Sequence, residues 1–175
     1  MKIRNIVAWA TLLAGALVIG YEWAPKPGKD LIAPEKRQPA TEFTLRDANG
    51  AKVNLSDYKD KVVLLNLWAT WCVPCKVEIP WFIEFERTYK DRGFAVLGVS
   101  FDDDGWDSIK PYVAENKMNY RVLLGTEDMP KTYWDVQAIP TTYLIDKQGR
   151  IAITHTGLVS KQTYEEGILK LLAGS

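Results

Sequence analysis

Two nearly unbroken apolar runs, Val62-Val63-Leu64-Leu65-Asn66-Leu67 and Phe94-Ala95-Val96-Leu97-Gly98-Val99, constrain this chain most. A strand with one wet face alternates apolar and polar residues, whereas a strand without alternation needs cover on both faces. Two such strands therefore call for a central sheet with layers packed against it. Between them, Val73 to about Arg92 reads as a helix interrupted by Pro80, which is expected to kink it. Upstream, the short alternating runs Phe43-Thr44-Leu45 and Lys52-Val53-Asn54-Leu55 flank Asp47-Ala48-Asn49-Gly50, and Asn-Gly at such a junction predicts a hairpin. Downstream, Ser108 to Met118 reads as a helix, Arg121 to Leu124 as a short strand and Met129 to Val136 as a helical turn. Thr141 to Asp146 and Arg150 to Thr156 are expected to pair across Lys147-Gln148-Gly149. Lys161 to Leu172 closes the chain as an amphipathic helix, with Tyr164, Ile168, Leu171 and Leu172 on one face. Strands alternating with helices, then a closing hairpin and helix, predict an α/β layer sandwich around a mixed sheet. Its parallel crossovers should be right-handed.

Residues 1–24 do not belong to that pattern. Lys2 and Arg4 precede an uncharged run of 17 residues from Asn5 to Tyr21. As a helix this run spans about 26 Å at ~1.5 Å per residue, short of the ~30 Å hydrocarbon core but feasible with Tyr21 and Trp23 at the interface. The reading is a membrane anchor with Lys2 and Arg4 in the cytoplasm and the catalytic domain on the periplasmic or extracytoplasmic side. A cleaved signal is the alternative, because Ala14-Gly15-Ala16 satisfies the small-residue rule. Either way the rest of the chain is exported. Pro25, Pro27, Pro34 and Pro39, set among polar residues, make 25–40 a proline-rich tether. The folded domain is expected over 41–175.

Lysine plus arginine equals aspartate plus glutamate at 22 each, so nothing points to a basic nucleic-acid surface. The chain has only two cysteines, too few for a disulfide scaffold or a cysteine-built zinc site. No metal and no cofactor is expected. The two cysteines fall in Trp71-Cys72-Val73-Pro74-Cys75-Lys76, where the first apolar strand gives way to the long helix. Spaced three apart at a helix start, their sulfurs can meet within one turn. Unpaired backbone N–H groups and the helix dipole favour negative charge there, which lowers the pKa of the Cys72 thiol and makes it the attacking thiolate. Cys75 lies one turn inward, and Pro74 stiffens the first turn where a missing N–H costs little. A static disulfide is the bland alternative, but a loop this short gains least from closure.

Glu78 follows Cys75 by three residues and shares its helix face. Partly buried, its raised pKa would let it exchange a proton with Cys75 near neutral pH; fully solvated, it would be an ordinary surface glutamate. Its neighbours Val77, Ile79 and Pro80 favour burial. Ile139-Pro140 opens a strand, a position that tolerates proline. Asp102-Asp103-Asp104-Gly105 reads as a loop capping the helix that follows, because Trp106 occupies the next position a calcium loop would need. His155 is expected on the outside of the closing hairpin, Trp68 in the core, and Trp71 beside Cys72, shaping the binding surface.

Asn66-Leu67-Trp68-Ala69-Thr70-Trp71-Cys72-Val73-Pro74-Cys75, with Ile139-Pro140-Thr141 downstream, resembles the thioredoxin superfamily. Cys75-Lys76-Val77-Glu78-Ile79-Pro80 is similar to the TlpA/ResA/CcmG group of extracytoplasmic thiol–disulfide oxidoreductases. The likeness covers roughly 41–173. It implies a thioredoxin-like three-layer sandwich with an N-terminal β-hairpin extension and an inserted segment near 125–136. It implies Cys72 as an exposed nucleophile, Cys75 as the resolving thiol and Glu78 as the active-site carboxylate. Ile139-Pro140 would be a cis peptide against the disulfide, and Trp71, Pro74, Ile139 and Pro140 would contact substrate. Ordinary thioredoxins carry a buried aspartate where this chain has Asn66. The group's usual task is reduction of protein disulfides, often on apocytochrome c during cytochrome c maturation, with electrons from a membrane electron-donor protein. A peroxiredoxin-like thiol peroxidase is the rival reading; those enzymes commonly carry threonine three before the reactive cysteine, where this chain has Ala69. An oxidant of substrate thiols is a further alternative, because small stabilisation differences set redox direction.

Overall fold

The structure, a computed structural model, describes residues 31–126, 129–134 and 136–174. The expected anchor or signal over 1–24 lies outside the described residues. Among the described residues no helix is long and apolar enough to cross a membrane.

The described strands are β1 (Thr44–Asp47), β2 (Lys52–Asn54), β3 (Val62–Trp68), β4 (Phe94–Ser100), β5 (Arg121–Leu124), β6 (Thr141–Ile145) and β7 (Ile151–Thr156). The α-helices are α1 (Val73–Tyr89), α2 (Trp106–Glu115), α3 (Lys131–Trp134) and α4 (Lys161–Leu172). One mixed sheet has the order β2-β1-β5-β4-β3-β6-β7. β3, β4 and β5 run parallel, and β6 and β7 add antiparallel on one side. The β1–β2 hairpin adds antiparallel on the other side, pairing with β5.

Every residue of β3 and β4 is buried, as unbroken apolar runs require. The two sets of alternate side chains enter different cores. Val62, Leu64, Trp68 and Val96 pack with Phe82 and Phe85 of α1, Ile109 of α2, and Tyr164 and Ile168 of α4. Val63, Leu65, Leu67, Leu97 and Val99 pack with Phe43 and Leu45 of the hairpin and with Met129 and Tyr133 of the inserted segment. Burying each of these large side chains stabilises the fold by roughly 1.5–3 kcal/mol. Gly98 breaks the apolar run of β4 for a steric reason: a Cβ there would stand 3.0 Å from Trp68 Nε1 and 3.1 Å from Tyr120 Cε2.

Two expectations need correction. Pro80 does not interrupt α1, which is one helical span from Val73 to Tyr89. Pro80 and Lys76, the residue whose carbonyl it cannot serve, are both exposed, so the missing bond falls on the solvent side of the helix. Residues 31–40 are no tether. Ile32 N–H donates to Ala152 O, Ile151 N–H to Gln38 O and Ala40 N–H to Gly149 O, each within 2.9 Å. Arg37 is buried and ion-paired with Asp146 at 3.1 Å, which pins this segment to the β6–β7 hairpin. Proline density signalled neither the 3-10 turn at Pro34–Lys36 nor the docking, which rests on these backbone bonds and on Arg37.

Candidate active site

β3 ends at Trp68, and three residues carry the chain to Cys72, the N-cap of α1. Cys72 and Cys75 form a disulfide with their Cα atoms 5.3 Å apart. Cys72 Sγ also accepts the Cys75 backbone N–H at 3.2 Å, so the sulfur occupies the place of a capping oxygen. On reduction the same N–H and the helix dipole would favour a thiolate at Cys72. Cys72 is less open than expected, at 3% exposed against 1% for Cys75. As N-cap its sulfur turns in toward the helix, and the flanking Trp71 and Val73 carry the exposure, 64% for the tryptophan.

The turn before Cys72 is held by a residue with another expected job. Asp102 does not cap α2, whose N-cap is Gly105 with no side-chain cap. Its buried carboxylate instead accepts the Thr70 N–H at 3.0 Å, along with the Thr70 and Ser100 hydroxyls. Thr70 stands two residues before Cys72, so Asp102 ties the ends of β3 and β4 together beneath the disulfide. The β3–β6 register pairs Leu67 with Thr141. One step further along both strands brings Pro140 level with Trp68, at the same end of the sheet as Cys72. Ile139–Pro140 is a cis peptide. Pro140 O accepts the Gly157 N–H at 2.8 Å, and Thr141 Oγ1 donates to Ala138 O at 2.7 Å. Trp71, Val73, Val77 and Leu158 are exposed apolar residues, the last in the loop that begins at Gly157.

Glu78 is 0% exposed, on the same buried face of α1 as Cys75, Ile79 and Phe82. Burial pushes its pKa up to about 7, against the opposing pull of the Tyr164 hydroxyl and the Val159 backbone N–H. Tyr164 Oη donates to Glu78 Oε1 at 2.8 Å, while buried Oε2 has no hydrogen-bond partner. Tyr164 Oη also lies 3.3 Å from Thr142 Oγ1, which accepts from Asn66 Nδ2 at 2.9 Å. A carboxyl that titrates near neutrality one helical turn from Cys75 can take or return a thiol proton. His155 is not an outer decoration: it is buried, its ring edge-on to Tyr164 with centroids 5.2 Å apart.

Cys72, Cys75, Glu78, Pro74, Trp71, Ile139 and Pro140 thus fall at one end of the sheet or on the helix rising from it. Tyr164, Thr142 and Asp102 were not foreseen. Asn66 carried the one available signal, a polar residue inside an apolar run; nothing in the sequence marked the Tyr164 hydroxyl, since tyrosine suits an apolar helix face.

Chains built this way are thioredoxin-like thiol–disulfide oxidoreductases, and comparison with known proteins agrees. The model of the AhpC/TSA family matches residues 37–154. Thiol-disulfide oxidoreductase ResA of Geobacillus kaustophilus (strain HTA426) is 31% identical over 162 residues, covering 93% of this chain and 92% of that protein. Thiol-disulfide oxidoreductase ResA of Bacillus subtilis (strain 168) is also 31% identical, covering 91% and 89%. The crystal structure of a thioredoxin-family thiol:disulfide interchange protein from Chlorobium tepidum TLS matches with a TM-score of 0.71 at 25% identity, covering 80% of this chain and 99% of that one. The chain belongs to the AhpC/TSA family and, within it, stands with the ResA-like thiol–disulfide oxidoreductases.

Proposed function

We propose that this protein reduces disulfides of partner proteins outside the cytoplasm, cycling between a Cys72/Cys75 dithiol and the Cys72–Cys75 disulfide. The observation that carries the direction is Glu78, a fully buried carboxylate on the helix face of Cys75. Once ionised it opposes a second negative charge nearby, which disfavours the thiolate forms and favours the disulfide. A couple that prefers its oxidised state gives electrons away.

In the cycle, Cys72 thiolate attacks one sulfur of the partner disulfide. A mixed disulfide forms, and the partner's other sulfur leaves as a thiolate that takes a proton from water. Cys75 then passes its proton to Glu78 and attacks Cys72 Sγ. The Cys72–Cys75 bond forms and the partner's second sulfur leaves as a thiolate that takes a proton from solvent, to which Glu78 gives up the one it received. One partner disulfide becomes two thiols, and two thiols here become one disulfide. A dithiol of a membrane electron-donor protein would restore the reduced state. Trp71, Pro74, Ile139 and Pro140 would seat the partner chain, and apocytochrome c, as substrate in cytochrome c maturation, fits such a site. The apolar run over 5–21 would hold the domain at the membrane.

The test is the reduction potential of the Cys72–Cys75 couple, measured by equilibration in thiol redox buffers. The proposal expects a value below about −200 mV; one near −120 mV, where strong oxidants of thiols lie, would overturn the direction. Cys72→Ser should abolish disulfide reduction, and Cys75→Ser should trap the mixed disulfide. A Glu78→Gln protein with unchanged thiol titration and unchanged rate would remove Glu78 from the cycle.

A further inference from the structure

We propose that Tyr164 is a positioning residue for this chemistry, the last donor in a buried string running Asn66, Thr142, Tyr164, Glu78 that fixes how tightly the carboxylate holds its proton. The inference rests on reading Glu78 as the proton acceptor of Cys75, and it assigns the groups that tune that acceptor.

Three elements build the string. Asn66 of β3 and Thr142 of β6 are cross-strand partners, so their side chains share one face of the sheet. Tyr164 comes from α4 and Glu78 from α1. All four side chains are buried. The direction of the bonds follows from counting protons. A phenol has one. Given to Glu78 Oε1, it leaves Tyr164 Oη to accept from the Thr142 hydroxyl across their 3.3 Å contact. Thr142 Oγ1 in turn accepts the Asn66 amide. Every proton then points the same way, toward the carboxylate, and such chains polarise one another in a low-dielectric interior. An amide cannot hand a proton on, so the string ends at Asn66. It holds and biases Glu78 and is no route to solvent.

The string is also rigid. The Tyr164 ring stands edge-on to Phe82 and to His155, each with centroids 5.2 Å apart. Few other groups compete for control of Glu78. Cys75 shares the buried face of its own helix, Tyr164 reaches it from α4, and His155 of β7 lies against the Tyr164 ring. Tyr120, just before β5, is close enough for the charge of Glu78 to help raise its pKa. Among the described residues, the opposing influences on Glu78 are burial on one side and Tyr164 with the Val159 backbone on the other, with no lysine or arginine among them. With Oε2 unpartnered, the Tyr164 hydroxyl is the side-chain donor on which the ionised form depends.

Tyr164→Phe keeps the ring and its packing and removes only the hydroxyl. Titration of the Glu78 carboxyl, followed by carbon-13 NMR of glutamate-labelled protein in the disulfide state, should move up by about one pH unit, the size of a lost hydrogen bond to a charge. Thr142→Val should move it the same way by less, and it carries the test if Tyr164→Phe does not fold. Simple loss of packing would lower stability without shifting this titration, so an unchanged midpoint in either folded variant overturns the inference. The measurement needs no substrate. A chain that fails to reduce disulfides would sink the proposed function while the titration shift stood; a missing shift would sink the string while the function stood.

Discussion

Glu78→Gln offers a measurement of buried charge that is independent of catalysis. In the unfolded chain a glutamate titrates near its ordinary value of about 4.3. In the fold burial raises this pKa to about 7. Between those two values the unfolded state has released a proton that the folded state keeps, so stability falls as pH rises through that window. The stabilisation is fully present below about pH 4 and lost above about pH 7. At about 1.4 kcal/mol per pH unit, a gap of roughly 2.7 units corresponds to about 3.7 kcal/mol. Glutamine does not titrate. Its amide adds an offset of its own, but that offset is the same at every pH. The free-energy difference between wild type and Glu78→Gln should therefore move by about 3.5 kcal/mol in favour of the variant from pH 4 to pH 8.5. Denaturant unfolding of the disulfide form, followed by tryptophan fluorescence, reads this directly. Two stability curves that stay parallel across the window would refute the reasoning, because Glu78 would then be ionising in the fold as easily as in water.

Two further outcomes follow from the packing. Asp102→Asn keeps the shape but removes the charge that gathers Thr70 and Ser100, and should cost about 1.5–3 kcal/mol in denaturant unfolding, with a slower disulfide exchange rate. Gly167→Ala on α4 would set a methyl 2.8 Å from both Ile153 Cδ1 and Leu144 Cδ1, and should cost about 1–3 kcal/mol by the same assay while leaving the reduction potential unchanged.

Much of the architecture was legible because period and punctuation agreed. Asn49-Gly50 marks a real hairpin, with Gly50 at φ 77°. The closing helix begins at Lys161, capped by Ser160 accepting the Thr163 N–H, and ends at Leu172 as its apolar face suggested. The Cys72–Cys75 pair was legible because spacing alone brings the sulfurs together, and Glu78 because i to i+3 shares a face. What stayed hidden depends on partners distant in sequence. Asp102 reads locally as a helix cap, yet besides nearby Ser100 its donors lie 32 residues away at Thr70. His155 sits in an alternating strand and reads as outward, yet α4 covers that face with Tyr164. Arg37 looks like one more charge in a proline-rich stretch until Asp146, 109 residues later, receives it. Long-range polar pairs leave no periodic trace, and here they are what hold the reactive end and the amino-terminal arm in place.

The docked arm has a consequence for life at high concentration. β7 is the last rung of the sheet, and such a rung ordinarily presents bare amides and carbonyls on which another molecule can stack. In this chain the start of the rung is already taken: Ile32 and Gln38 hydrogen-bond to Ala152 and Ile151, and Pro39 bridges to Arg150. A thiol–disulfide oxidoreductase is thereby hindered from taking up another chain, or its own copies, along the Arg150–Ala152 end of this edge.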